Sequence, residues 1–473
     1  MTSNECLRLP VRAFPVFLWA ALLAPGTVAA DGSQPAADSP SQHPGETPAS
    51  RGYRLLRTKP FVPPDLDREV FENLWTTWPE PLRSQAERAT PAERRRMTFS
   101  RYGLVESPES PDAGPPLGYV EAPAGGWVMN CLNCHGGKVA GRIIPGLPNN
   151  RLALQTLTEE ALRVKLELGR PPGPMDLAAL RMSLGTSHGT TNAVVFGIIV
   201  GWLRDRDMNI DRSQPLPPTL DHDMDAPALW NVRKRTHLYC DGHAPKVHRP
   251  LLQFTLSLAN DGPTIRGWED EARDILAWIE SLEPPNWPWG VDAALAGDGE
   301  RLFRQHCARC HGTYGETGRY VERIIPIDTV GTDPLRLNAL SVEDRRRLGV
   351  SWMTRYGEDA VIVDPGGYVA PPLDGIWASA PYFHNGSVPT LWHVLHPDAR
   401  PAVWQGVEDG YDREHVGLEV HSSEAVPADA ASAADRRAWF DTRVRGKSAA
   451  GHRFPDALTE TEKRAVLEYL KTL

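Results

Sequence analysis

The chain has 473 residues, a net charge of −9 and 41% hydrophobic residues. That length accommodates two or three domains with cores of their own, and the acidic balance argues against nucleic acid as a partner. Fifteen tryptophans and 44 prolines point to a loop-rich fold in which aromatic side chains pack around large flat ligands.

At the start, Arg8 and Arg12 precede an apolar run from Phe14 to Leu23, and small residues follow to Ala29 and Ala30. This is the layout of an export signal over residues 1–30, cleaved after Ala30, which predicts a periplasmic or secreted protein. The run is too short to cross a bilayer, and no later run is long enough, so no transmembrane segment is expected in the mature chain. Cleavage removes Glu5, Arg8, Arg12 and Cys6, which brings the charge to −10 and leaves five cysteines. Residues 31–52, rich in Pro, Ser, Ala and Gly, predict a disordered linker. Order is expected from about Tyr53, with a first helix in "DREVFENLWTTW". Helical spacing recurs from Leu152 to Leu168 and from Asp176 to Leu184. "TTNAVVFGIIVGWLRD" reads as a helix apolar on every side and therefore buried. "WEDEARDILAWIESLEPP" is a helix stopped by a double proline. The boundary is placed at Glu283 to Pro288, giving an N-terminal domain over 53–285 and a C-terminal domain over 286–473. The fold class is mainly α, with few short strands.

Two C-x-x-C-H motifs lie in this frame, Cys131-Leu-Asn-Cys134-His135 and Cys307-Ala-Arg-Cys310-His311. A zinc site would need both cysteine pairs on one ion, and a thiol redox pair would need no following histidine. A histidine directly behind the second cysteine is the attachment signature of c-type haem. Cysteines at i and i+3 of a helical turn face the same way, so both can bond one porphyrin with the next histidine under the iron. Two covalently bound haem c groups are therefore expected, haem 1 on Cys131, Cys134 and His135 and haem 2 on Cys307, Cys310 and His311. The sixth ligand decides whether an iron only passes electrons or also binds a small oxidant. For haem 2 the candidate is His452 in "GKSAAGHRFPDALTE". His384 is its rival and Met353 a more distant one, and the competing account of His452 is a plain surface histidine.

A gapless internal repeat pairs "APALWNVRKRTHLYCDG" from Ala226 with "APPLDGIWASAPYFHNG" from Ala370. Tyr239 matches Phe383, Gly242 matches Gly386, and Cys240 takes the place of His384. Each copy follows a C-x-x-C-H motif, which suggests two haem modules made by duplication. Trp230, inside the first copy, is the candidate electron relay, against the simpler account of a core tryptophan. His188 and Cys240 are candidates for the open side of haem 1.

"AGDGERLFRQHCARCHG", with Gly299, Leu302 and Phe303 ahead of Cys307, and a final helix carrying Tyr469 behind a Thr459–Glu462 capping box resemble class I c-type cytochromes. "APPLDGIWASAPYFHNGSVPTL" closely resembles a loop of the dihaem cytochrome c peroxidase superfamily. "HNGSVPTL" and "GHRFPDALTETEKRAVLEYLKTL" look closest to its haem-containing rubber-oxygenase branch. The resemblance covers most of the chain after Tyr53. It implies two cytochrome c-like haem domains with long loop insertions, chemistry at the haem of His135 and electron relay at that of His311. It also implies a redox partner protein or a small oxidant, peroxide or dioxygen. Two departures stand out: no methionine is placed to ligate haem 2, and no carboxylate is identifiable as acid and base at haem 1. The expectation is a periplasmic dihaem oxidoreductase. The alternatives are a dihaem electron-transfer cytochrome and a haem-based sensor.

Overall fold

Two helix crossings of the same kind organise the chain. The computed structural model describes residues 45–109, 114–213 and 222–473, so the expected export signal and residues 31–44 of the expected linker lie outside the described residues. In the second half, helix Ala293–His306 crosses helix Glu460–Leu470. A Cβ on Gly299 would overlap the carbonyl oxygen of Ala465, so only glycine lets the backbones meet there. Phe303 packs beside it on Tyr469, with ring centroids 5.3 Å apart. In the first half, helix Pro48–Thr58 crosses helix Glu269–Ser281. Here a Cβ on Gly52 would overlap the carbonyl of Asp274, and Tyr53 lies 5.6 Å from Trp278. Gly52-Tyr-Arg-Leu-Leu56 and Gly299-Glu-Arg-Leu-Phe303 share the crossing glycine and the Arg and Leu that follow it.

Helix Pro48–Thr58 corrects the expected linker over 31–52, whose last residues are helical. Thr47 caps it with a reciprocal Thr47–Ser50 box, Pro48 occupies its first turn, and Leu55 and Leu56 are buried. Composition had suggested disorder, but the cap and the packing against Glu269–Ser281 outweigh it. Helix Ala193–Trp202 also departs from expectation. Only Val195, Gly197 and Val200 are buried, because the helix packs on one side, against Arg249–Thr255.

Between Thr58 and Cys131 the first half carries an inserted core that joins Leu74, Trp78, Tyr102 and Trp127 to Leu157 and Val164. The second half carries an antiparallel hairpin, Val403–Asp412 with Gly417–Ser423, which has an irregularity between Gly406 and Tyr411. The remaining sheets are pairs of very short strands, and the described chain is mainly helical. Packing runs across Glu283–Pro288: one cluster unites Leu147, Ala228 and Trp230 with Phe303, Trp377 and Tyr469. No helix of the described residues is long and apolar enough to cross a membrane.

Candidate haem sites

The first C-x-x-C-H motif begins as a tight 3-10 turn, Cys131–Asn133, opened by Asn130, whose side chain accepts from the Leu132 N–H at 2.8 Å. Asn149 braces the turn, bonding the Asn133 carbonyl through its side chain and the Cys134 carbonyl through its own N–H. The second motif is the final turn of helix Ala293–His306 continued through Ala308–His311. In both, the histidine N–H bonds back to the first cysteine's carbonyl, at 3.0 Å for His135 and 3.1 Å for His311.

Each motif histidine is held from behind by a proline carbonyl. His135 Nδ1 lies 3.0 Å from the Pro227 carbonyl and His311 Nδ1 lies 3.0 Å from the Pro371 carbonyl. A carbonyl only accepts, so Nδ1 carries the proton and Nε2 keeps its lone pair, the form in which imidazole binds iron. Burial lowers the His135 pKa to about 4 and lowers that of His311, which keeps both rings neutral. Burial pushes the thiols of Cys131 and Cys307 up to about 11 and that of Cys134 up to about 12. Thiolate metal ligation and thiol redox chemistry depend on a lowered pKa. Among the described residues no group of three or more His, Cys, Asp or Glu is arranged to hold a metal ion.

Opposite His311 stands His452, the ring centroids 6.2 Å apart and the planes at 62°. Two imidazoles bound to one metal through Nε2, each with a metal–nitrogen distance of about 2 Å, hold their centroids about 6 Å apart. His452 has a left-handed backbone, φ +49°, a conformation uncommon outside glycine that its neighbours hold in place. Its N–H bonds the Val330 carbonyl at 2.6 Å. Arg400 grips the residues before it, bonding the carbonyls of Ala449 at 2.6 Å and Gly451 at 2.8 Å. The rivals lie elsewhere: His384 lies against Tyr368, centroids 4.4 Å apart and planes tilted by 34°, and Met353 is buried with Trp352, Val200 and Leu252. The sequence pointed to His452, but nothing local in it pointed to Arg400.

The internal repeat has a structural counterpart. Pro227 and Pro371, the carbonyls behind the two histidines, are the same position of the repeat. Tyr239 and Phe383 share a left-handed conformation, φ +68° and +69°, as do Gly242 and Gly386, φ +68° and +70°. The glycine N–H closes the turn onto the aromatic residue's carbonyl at 3.2 Å in both copies. The copies also exchange bonds. The Val369 N–H, just ahead of the second copy, donates to the Cys240 carbonyl at 2.7 Å, and the Asp225 N–H, just ahead of the first, donates to the His384 carbonyl at 3.0 Å. Such reciprocal contacts mark an approximate two-fold relation between the copies.

Trp230 lies at that junction. It is buried, its indole N–H donates to the Asp374 carbonyl at 2.7 Å, and its edge lies against Gly375. It thus spans from the loop holding His135 to the loop holding His311. His188 is half-buried, its N–H bonded to the Arg437 carbonyl. Burial, reinforced by Arg151, Arg101 and Arg437, lowers its pKa to about 4. Cys240 lies beside Arg336 and Asp241, and burial pushes its thiol up to about 11.

Two uncharacterized proteins of Sinorhizobium fredii (strain NBRC 101917 / NGR234) are similar to this chain. The protein y4iM is 29% identical over 301 residues, 55% of this chain and 67% of the relative. The protein y4iJ is 29% identical over 259 residues, 41% of each, so the chain spans less than half of that relative's length. Residues 367–405, which hold Pro371, Phe383 and Arg400, match the RoxA-like, cytochrome c-like domain family, and this match supports a haem cytochrome of the RoxA-like branch with haem c as cofactor.

Proposed function

We propose that this chain is an exported dihaem c-type cytochrome oxidoreductase that activates peroxide or dioxygen at one haem and relays electrons through the other. Cys131, Cys134 and His135 would hold haem 1, and Cys307, Cys310, His311 and His452 would hold haem 2. The observation that carries this reading is the contrast between the two sites. His452 faces His311 at 6.2 Å, while no ring faces His135 in that way among the described residues. An iron with two protein ligands passes electrons, and one with an open position also binds small oxidants.

The residues of the chain divide the remaining work. Pro227 and Pro371 fix the tautomer and the aim of the two motif histidines. Arg400 and Val330 hold His452 in place, and Trp230 provides a covalently and hydrogen-bonded span between the two proximal loops for electron transfer. The resemblance to the dihaem peroxidase superfamily supports the same division of roles. Electrons come from or pass to a redox partner protein.

The purified, exported protein tests the reading. Its mass is expected to exceed that of the chain from Asp31 by two haems. Carbon monoxide is expected to perturb one reduced haem and leave the other unchanged, and peroxide is expected to alter the absorption bands. If carbon monoxide and peroxide change neither haem, the protein is a dihaem electron carrier and the oxidoreductase reading fails.

A further inference from the structure

The segment behind each proximal proline travels from one face of its site to the other. In the second half both ends of that course are visible. The Pro371 carbonyl touches His311, and twelve residues later the Phe383 ring lies 6.0 Å from that of His452, which stands across from His311. The first half repeats the course without gap or insertion. Pro227 touches His135, and Tyr239 follows twelve residues later in the same left-handed conformation and the same closed turn. By this correspondence Tyr239 stands where Phe383 does, on the face opposite the motif histidine.

The copies differ at the positions where chemistry would differ. Phe383 becomes Tyr239, which adds a hydroxyl, and Ser387 becomes His243, which adds an imidazole. The Tyr239 ring stacks on His243, centroids 4.6 Å apart and planes at 9°. His243 is fixed in turn, its Nδ1 bonded to Asp241 Oδ1 at 2.8 Å. Asp241 is fully buried and paired with Arg345 at 3.0 Å and Arg336 at 3.5 Å. The Gln253 amide donates to the Tyr239 hydroxyl oxygen, which leaves the hydroxyl's own proton for another acceptor.

We propose that Tyr239 is the hydrogen-bond donor to a small oxygen-bearing ligand on the open face of haem 1, with His243 and Asp241 as the positioning residues that fix its ring. The inference rests on the reading above, in which that face is open. Burial raises the Tyr239 pKa well above the ordinary phenol range, so the donor proton is retained throughout the neutral range.

The test is Tyr239→Phe in the full dihaem protein, which installs the residue of the other half. Two probes report on it: the infrared C–O stretch of the carbon monoxide complex of the reduced protein, and fluoride titration of the oxidised protein. The variant is expected to shift the C–O band and to weaken fluoride about tenfold, the size of one hydrogen bond to a charged acceptor. Haem content and the ligand-free spectrum are expected to stay as in the wild type. His243→Ala, which frees the ring without removing the hydroxyl, is expected to broaden the C–O band. A Tyr239→Phe protein with the wild-type band and wild-type fluoride affinity overturns the role of Tyr239 alone. A wild type that binds neither probe overturns the open-face reading, and this inference falls with it.

Discussion

His452 shows how one side chain can be legible while its support is not. Its place in the loop ahead of the final helix, in a half that resembles class I cytochromes, identified it in the sequence. The clamp on it comes from Arg400, through the Gly451 carbonyl, and from Val330, and these two meet it only in three dimensions. Replacing His452 by alanine is expected to turn the low-spin spectrum of haem 2 partly high-spin and to leave haem 1 as it was, which optical and electron paramagnetic resonance spectra would separate. An unchanged spectrum would overturn the assignment of His452. A second expectation concerns Asp65, whose carboxyl burial raises to about 6 although the Met175 N–H and Lys165 oppose it. The folded state therefore binds this proton more tightly than the unfolded chain, and stability falls as pH rises from about 4 to about 6. Asp65→Asn, which keeps an acceptor for the Met175 N–H at 3.0 Å, is expected to stabilise the protein at pH 7 by on the order of 1 kcal/mol, after discounting for partial exposure. The gain is expected to vanish at pH 4, and denaturant titrations at the two pH values check it.

The helices carry a different lesson. Gly299, Phe303 and Tyr469 were recognisable because the second C-x-x-C-H motif follows its helix at once. The equivalent Gly52 was not, because a whole inserted core separates it from Cys131 and a polar, proline-rich stretch runs up to it. The repeat of Gly-x-Arg-Leu was nonetheless present in the sequence. The hairpin Val403–Asp412 with Gly417–Ser423 was missed for another reason: most of its residues are half-buried or exposed, so no strong apolar alternation marks it. Both crossings make the same prediction. Gly52→Val and Gly299→Val each force a side chain into a facing backbone carbonyl, and each is expected to cost about 3 kcal/mol or more. The measurement is the thermal midpoint with haem content. Full retention of stability at either position would show that the helices can separate without loss.

At the scale of the whole chain, the internal repeat was readable from a motif of a few residues, whereas the way the copies join was not. Their contacts are backbone hydrogen bonds between residues far apart in sequence, Val369 with Cys240 and Asp225 with His384, and these leave no signature in side-chain identity. Together with the shared cluster of Trp230, Phe303, Trp377 and Tyr469, they predict that a nick at the exposed Asn286 leaves the two fragments associated. Size-exclusion chromatography of the nicked protein would be expected to show a single peak, and separate peaks would mean that the linker alone joins them.

Trp230 occupies the repeat position of Asp374 and donates to the carbonyl of that very residue. Two equivalent places that touch one another must flank the axis relating the copies, where the volume one indole fills is the volume its twin would need. Two identical copies could seat only one such ring between them, and the unlike residues of this chain build the bridge from one side, an indole from one copy and a carbonyl from the other.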